Sequence, residues 1–362
     1  MFKFNFTSSS GGADHADDSE ENEMKAEDRM IAKLAERCKT SAQTCKLVDA
    51  SSTATIASDK VVVQSCVHEH VDLHSSTIDG LQYILPQHTA LSEKNTDLIP
   101  GVYEGGLKVW ECSLDLCRFL AHVIDETMSI ESHFQHVTAA VKRSIGEGGS
   151  ALELGCGHGL PACLLLRESV RRHTDSVVVF SDFNDFVLLD VTIPNALLNL
   201  CGLYQQQGDD SVVDDGSQVL LKKSIFAGGD WMGLSHKLSI SEVLLPVSPS
   251  EQRVVHERFD VILASETTYT SESCQDTAYL MMKHLKVDIG VGLVATKRFY
   301  FGVGGGADAF SQAADKVSVS SHSSGLRLVV RNIQSYDTGN ANIRDLLEVR
   351  LVRSNKCVGC ML

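Results

Sequence analysis

The chain has 362 residues, 43% of them hydrophobic, and carries 47 acidic against 32 basic side chains for a formal net charge of -15. A core large enough for a globular enzyme is allowed, whereas a sequence-independent grip on nucleic acid through Lys and Arg is disfavoured. A basic protein partner suits the charge better, although an acidic solvated surface with no partner accounts for it equally well.

No run approaches the roughly 20 apolar residues that span a bilayer, and the N-terminus lacks the apolar core of a signal peptide. The eleven cysteines are scattered through a long chain and read as reduced thiols rather than a disulfide framework. A monomer in the cytoplasm, and also in the nucleus, is the expectation.

In chain order, residues 1–28 are rich in Ser, Gly, Asp and Glu and read as a disordered acidic tail. Residues 29–95 form a lead segment that mixes a helical pattern (Met30, Ile31, Leu34) with a β-branched run (Lys60 to Val63) and holds no catalytic motif. Its Cys66, His68, His70 and His74 have donors a metal could use, but they lack a second ligand pair, so no metal is expected. Residues 96–353 read as one domain and 354–362 as a tail, where Cys357 and Cys360 make a lone C-x-x-C.

Within that domain seven apolar, β-rich runs stand out: Ala151 to Leu154, Ser176 to Ser181, Lys222 to Phe226, Phe259 to Ala264, Gly292 to Thr296, Leu326 to Asn332 and Leu346 to Val352. Most are separated by enough chain for a crossover helix, which predicts an α/β, Rossmann-like, mostly parallel sheet. The short polar stretch between the last two predicts an antiparallel edge hairpin. The polar, Asp/Ser-rich residues 203–220 and 233–256 read as surface insertions.

The first run leads into Leu152-Glu153-Leu154-Gly155-Cys156-Gly157-His158-Gly159 and then an apolar helix. Glycines at 155 and 157 let the backbone turn tightly and approach a ligand. A dinucleotide site wants G-x-G-x-x-G. Here the third glycine comes one position early, in the manner of S-adenosylmethionine sites, although such turns also occur in α/β proteins that bind something else or nothing. The second run ends in Asp182, where a doubly wound sheet presents a carboxylate to ribose hydroxyls and where a solvated helix cap is the plain alternative. After the third run, Gly229-Asp230-Trp231 supplies an acceptor for an adenine amino group and a ring to cover the base. All three segments fall at strand ends on one edge of the sheet.

Longer strings add to this reading. Asp97-Leu98-Ile99-Pro100-Gly101-Val102-Tyr103-Glu104-Gly105-Gly106-Leu107-Lys108-Val109-Trp110-Glu111-Cys112-Ser113, Phe259 to Tyr269, and Arg298 to Gly306 resemble the eukaryotic histidine protein methyltransferases, a group within the seven-β-strand class I methyltransferases. The resemblance covers roughly residues 96 to 352 and implies S-adenosylmethionine as cofactor, with a large-subunit ribosomal protein as partner. It places Val109, Trp110, Glu111, Cys112 and Ser113 beside the methionine part of the cofactor, with Glu153, Gly155 and Gly157 in the glycine loop. Asp182, Phe183 and Asn184 then meet the adenosine, and Gly229, Asp230, Trp231 and Ser265 complete the pocket. Glu266-Thr267-Thr268-Tyr269 matches an acidic-x-x-Tyr element beside the acceptor, which makes Glu266 and Tyr269 the catalytic candidates. Their plain alternatives are a loop-positioning Glu and a packing Tyr. His158 departs from the family, whose members carry a small residue there, and residues 1–95 show no match. The same fold also serves lysine and small-molecule methyltransferases, and a silent cofactor-binding module is the reading from another class. Gly302 to Gly306 reads as a lid or a channel wall for a substrate peptide.

Overall fold

In the computed structural model the described residues are 46–47, 68–73, 80–84, 104–126, 134–205, 212–239, 257–321, 324–337, 339 and 342–354. The acidic tail, the C-terminal Cys357 and Cys360, Cys66 and His74, and Asp97 to Tyr103 of the long string lie outside them.

The strands are β1 (Lys46–Leu47), β2 (His68–Val71), β3 (Leu81–Ile84), β4 (Ser150–Leu154), β5 (Val177–Asp182), β6 (Ser224–Gly228), β7 (Val261–Ser265), β8 (Val291–Lys297), β9 (Leu326–Tyr336) and β10 (Arg344–Arg353). The main sheet runs β1-β6-β5-β4-β7-β8-β10-β9. Strands β6, β5, β4, β7 and β8 are mutually parallel. β10 inserts antiparallel between β8 and β9, and β1 adds a short antiparallel edge to β6. All seven expected strands are present in a Rossmann-like class I methyltransferase order, edge hairpin included. The strand expected from Lys222 instead starts at Ser224, because Val212–Lys223 is a helix that buries Leu220.

Both faces of the sheet are covered, which is why its parallel strands read as unbroken apolar runs. Ala151, Val178 and Leu263 face one layer, made by α1 (Glu111–Ile124), α2 (Gln135–Ser144), α3 (Leu160–Arg171) and α4 (Ile193–Gln205). Their neighbours Leu152, Val179 and Ile262 face the other layer. Following α5 (Val212–Lys223), that layer is built from α6 (Trp231–Ser239), α7 (Ser271–His284) and α8 (Ala307–Ser320). The polar segments read as insertions are therefore partly helical: α5 overlaps the first, and α6, which buries Met232, Leu234 and Leu238, runs into the second. Residues 240–256 lie outside the described set. Two pieces of the lead segment join the body as an antiparallel β2-β3 pair, with Val71, Leu73, Leu81 and Tyr83 in the first core layer.

Helix α1 carries the segment expected at the cofactor. Cys112, Leu116, Leu120 and Val123 fall at helical spacing and bury one face against the sheet. A buried ion pair fixes its rotation: Arg344 Nε on β10 donates to Asp115 Oδ2 at 2.6 Å. Arg344→Met would strand the Asp115 charge. We expect a loss of about 3 kcal/mol in urea unfolding, the low end for a broken buried pair because Arg118 remains nearby. Asp115→Leu together with Arg344→Met should restore most of it, and an unchanged midpoint in the single variant would deny the pair this role.

Candidate active site

The cavity opens at the carboxyl ends of β4, β5, β6 and β7, where ligands bind in open α/β sheets. Gly155 has φ 58°, and a Cβ there would sit 3.0 Å from Thr267 Cγ2 and 3.3 Å from Trp231 Cζ2. Gly157 has φ 50°, and its Cβ would lie 3.1 Å from the Gly106 carbonyl oxygen. The glycine loop therefore touches the 104–110 loop backbone to backbone, a closeness only glycine permits.

Asp182 holds this loop. Its Oδ2 accepts the Gly157 N–H at 2.9 Å and its Oδ1 the Asn184 N–H at 3.0 Å. Thr192, in the π-helical turn Leu188–Thr192, donates its hydroxyl to the Gly157 carbonyl at 2.6 Å. Asp182 is 4% exposed, which removes the solvated-cap reading. Burial pushes its carboxyl up to about 6 against those backbone hydrogen bonds. Glu153 is also buried, accepts the Ala162 N–H at 3.0 Å, and is pushed by burial up to about 8. Burial holds His158 down at about 4, so its imidazole is neutral and its Nε2 lies 3.2 Å from the Leu107 carbonyl oxygen, with Nδ1 3.3 Å from Asn195 Nδ2. The residue that departs from the family thus ties the glycine loop to the 104–110 loop and to α4.

Two Tyr–Glu pairs flank the cavity on the side of the 266–269 segment. Tyr269 donates its hydroxyl to Glu104 Oε2, and Tyr300 donates to Glu266 Oε2. Lys297 Nζ lies 3.6 Å from the same Glu266 oxygen. Burial, then the neighbouring carboxylate, pushes both tyrosine hydroxyls well above the ordinary range, so they act as neutral donors. Tyr269, one of the two catalytic candidates, therefore has its hydroxyl committed to Glu104.

Val109, Trp110, Ser113, Glu153, Gly155, Gly157, Asp182, Phe183, Asp230, Trp231, Ser265, Glu266 and Tyr269 line the cavity. Four expected cofactor residues lie off it. Glu111 points outward and accepts from Arg344 and Asn342, and Cys112 is in the core. Asn184 supports the wall, accepting the Glu104 N–H at 3.1 Å, and Gly229 donates its N–H to the Asp182 carbonyl. Asp230 Oδ1 caps α6 through the Met232 N–H at 2.8 Å. Sequence reasoning missed Glu104 and Thr267 on the wall and Tyr300 behind it. All three lie in the strings that carry the family resemblance.

Four buried side-chain atoms of residues lining this cavity have no hydrogen-bond partner among the described residues: Trp231 Nε1, Ser265 Oγ, Glu266 Oε1 and Thr267 Oγ1. Leaving such groups unpaired costs about 1–3 kcal/mol each. A polar ligand with both donors and acceptors would satisfy them, and the donor, acceptor and mixed character of the set fits the amino-acid and nucleoside ends of S-adenosylmethionine.

The raised carboxyls give a pH signature. Folded Glu153 keeps a proton up to about 8 that the unfolded chain releases near 4.3, so stability falls as pH rises through that window. His158 works oppositely, its contribution being lost as pH falls from about 6.5 to about 4, and Asp182 has finished titrating by about 6 to 7. Between about pH 6.5 and about pH 8 the fall is therefore mainly Glu153's, with the buried thiols, also held up by burial, adding to it only as pH nears about 8.5. The urea midpoint of the wild type should drop across that interval, and Glu153→Gln should flatten it; equal slopes would place the charge elsewhere.

No family profile matches the chain. It is 30% identical to the histidine protein methyltransferase 1 homolog of Dictyostelium discoideum over 256 residues, 70% of this chain and 60% of that protein. It is 33% identical to histidine protein methyltransferase 1 of Schizosaccharomyces pombe over 229 residues, 61% of this chain and 60% of that protein. Solved methyltransferases superpose loosely: the O-methyltransferase of Bacillus cereus gives a TM-score of 0.33 at 9% identity over 72% of this chain and 96% of that one, so the fold assignment rests on strand order. The chain spans about 60% of the length of these two relatives, and over that span it is similar to the histidine protein methyltransferase 1 proteins.

Proposed function

We propose that this chain transfers a methyl group from S-adenosylmethionine to a histidine side chain of another protein. The observation that carries the reading is the cavity at the strand ends, whose wall holds four unpaired polar atoms, one of them on the carboxylate Glu266. The name of these relatives, histidine protein methyltransferase 1, supports histidine as the acceptor.

Gly155 and Gly157 would let the donor approach the backbone, Asp182 would meet ribose hydroxyls, and Asp230 with Trp231 would border the base. Ser265 and Thr267 supply hydroxyls with no other partner. When bound, the donor supplies an activated methyl group. The chain's own work is alignment and exclusion of water. A neutral imidazole is nucleophilic near its ordinary pKa of about 6.5, so it needs only one ring nitrogen aimed at the methyl and a base for the proton on the other. Glu266 Oε1 is that base. Tyr269, its hydroxyl committed to Glu104, shapes the wall beside it.

The formal charge of -15 supports a basic protein partner, and the resemblance of the long strings supports a large-subunit ribosomal protein, met by a monomer in the cytoplasm or nucleus. Among the described residues no helix is long and apolar enough to cross a membrane.

Incubation with methyl-labelled donor and a cell extract, followed by acid hydrolysis, should release labelled methylhistidine; methyllysine would refute the acceptor. Gly155→Arg, verified as folded, should lose calorimetric binding of S-adenosylhomocysteine, since the long side chain would fill the space against Thr267 and Trp231. Unchanged affinity would remove that loop from the donor site. With a histidine acceptor the rate should also fall as pH drops below about 6.5.

A further inference from the structure

Tyr300 follows β8 in a turn that is tied down on both sides. The Arg298 guanidinium grips Asp345 through two hydrogen bonds, at 2.8 Å and 2.7 Å. Further on, Gly304 bridges Thr270, and the Gly306 N–H donates to the Thr268 carbonyl at 2.9 Å. Between these anchors Phe299 and Phe301 are exposed, while the Tyr300 hydroxyl turns inward to Glu266. The 298–306 turn is thereby built onto the Glu266–Tyr269 segment.

Glu266 is held in an uncommon state. Its φ is 56°, a left-handed conformation that a non-glycine residue adopts only where its surroundings impose it, and its N–H donates to the Ala295 carbonyl at 2.9 Å. Three side chains stand around its carboxylate. Tyr300 and Lys297 both lie on Oε2, with the Lys297 ammonium also 5.4 Å over the Tyr300 ring and 5.3 Å over that of Trp110. The Cys112 thiol, pushed up by burial and then by Glu266, stays uncharged. Glu266 lines the cavity, and its Oε1 is buried with no hydrogen-bond partner among the described residues.

We propose that Tyr300 is a positioning residue for methyl transfer: by donating to Oε2 it fixes Glu266 so that Oε1 is left to receive the proton of the acceptor ring. This rests on the histidine reading above. In the step, one ring nitrogen forms the bond to carbon as the carbon–sulfur bond breaks with its electron pair kept on sulfur, and the proton on the other ring nitrogen passes to Glu266 Oε1. Tyr300 keeps its own proton throughout. A carboxylate free to rotate would offer either oxygen, or swing away, and misalignment of that size costs roughly 10- to 100-fold in rate.

The test compares wild type, Tyr300→Phe, Glu266→Gln and the double variant on an arrayed set of peptides with one central histidine. Tyr300→Phe should lower kcat by roughly 10- to 100-fold while KM for the best peptide and calorimetric affinity for S-adenosylhomocysteine hold. In the Glu266→Gln background the same change should cost nothing further, since the two act as one unit. Independently of turnover, the proton spectrum of the donor-free chain should show a downfield hydroxyl resonance that disappears in Tyr300→Phe and moves in Glu266→Gln. Wild-type kcat in Tyr300→Phe, an equal loss in both backgrounds, or a change confined to KM or donor affinity would overturn the proposal alone. A wild type that methylates only the lysine counterparts of the peptides would overturn the histidine reading and the proposal with it.

Discussion

The site depends on one buried carboxylate. Asp182 closes the end of β5, takes the N–H of Gly157 with one oxygen and that of Asn184 with the other, and so ties the glycine loop to the segment that follows β5. Asn184 in turn accepts the Glu104 N–H, and Glu104 accepts the Tyr269 hydroxyl. A continuous line of hydrogen bonds thus runs from the second parallel strand to the proposed acceptor side. Charge-assisted bonds to backbone N–H groups are about twice as strong as neutral ones, which offsets part of the cost of burying the group.

Around that line the wall is under polar tension. Glu153 and Asp182 are both pushed up by burial, and four further polar atoms of the same cavity's residues find no partner among the described residues. Stable cores avoid such arrangements. Sites that await a polar ligand retain them, and the left-handed Glu266 belongs with the same pattern of strain held at a functional position.

Much of the fold was legible in the sequence for a physical reason. Strands buried on both faces must be apolar throughout, so runs such as Val177 to Phe180 announce themselves, and glycines that need positive φ cannot be replaced by residues that blur the signal. Polar helices were not legible: α5 opens Val-Val-Asp-Asp-Gly-Ser and shows its purpose only through Leu220 packed in the core. Within the site, contiguous strings misled where they enter a helix. Trp110 and Ser113 line the cavity while Glu111, in the same turn, points to β10, because successive helical residues are about 100° apart. Tyr300 and Glu104 were hidden because their meaning lies in partners distant in sequence, Glu266 and Tyr269.

The central claim is that this cavity receives S-adenosylmethionine with its polar wall as the complement. A crystal structure of the chain with S-adenosylhomocysteine tests it most directly. The account predicts the ligand at the carboxyl ends of β4 to β7, with hydrogen bonds to the now unpaired Ser265, Thr267 and Trp231 side chains and Asp182 at the ribose. A ligand seated elsewhere, or one that leaves those side chains without partners, would contradict it.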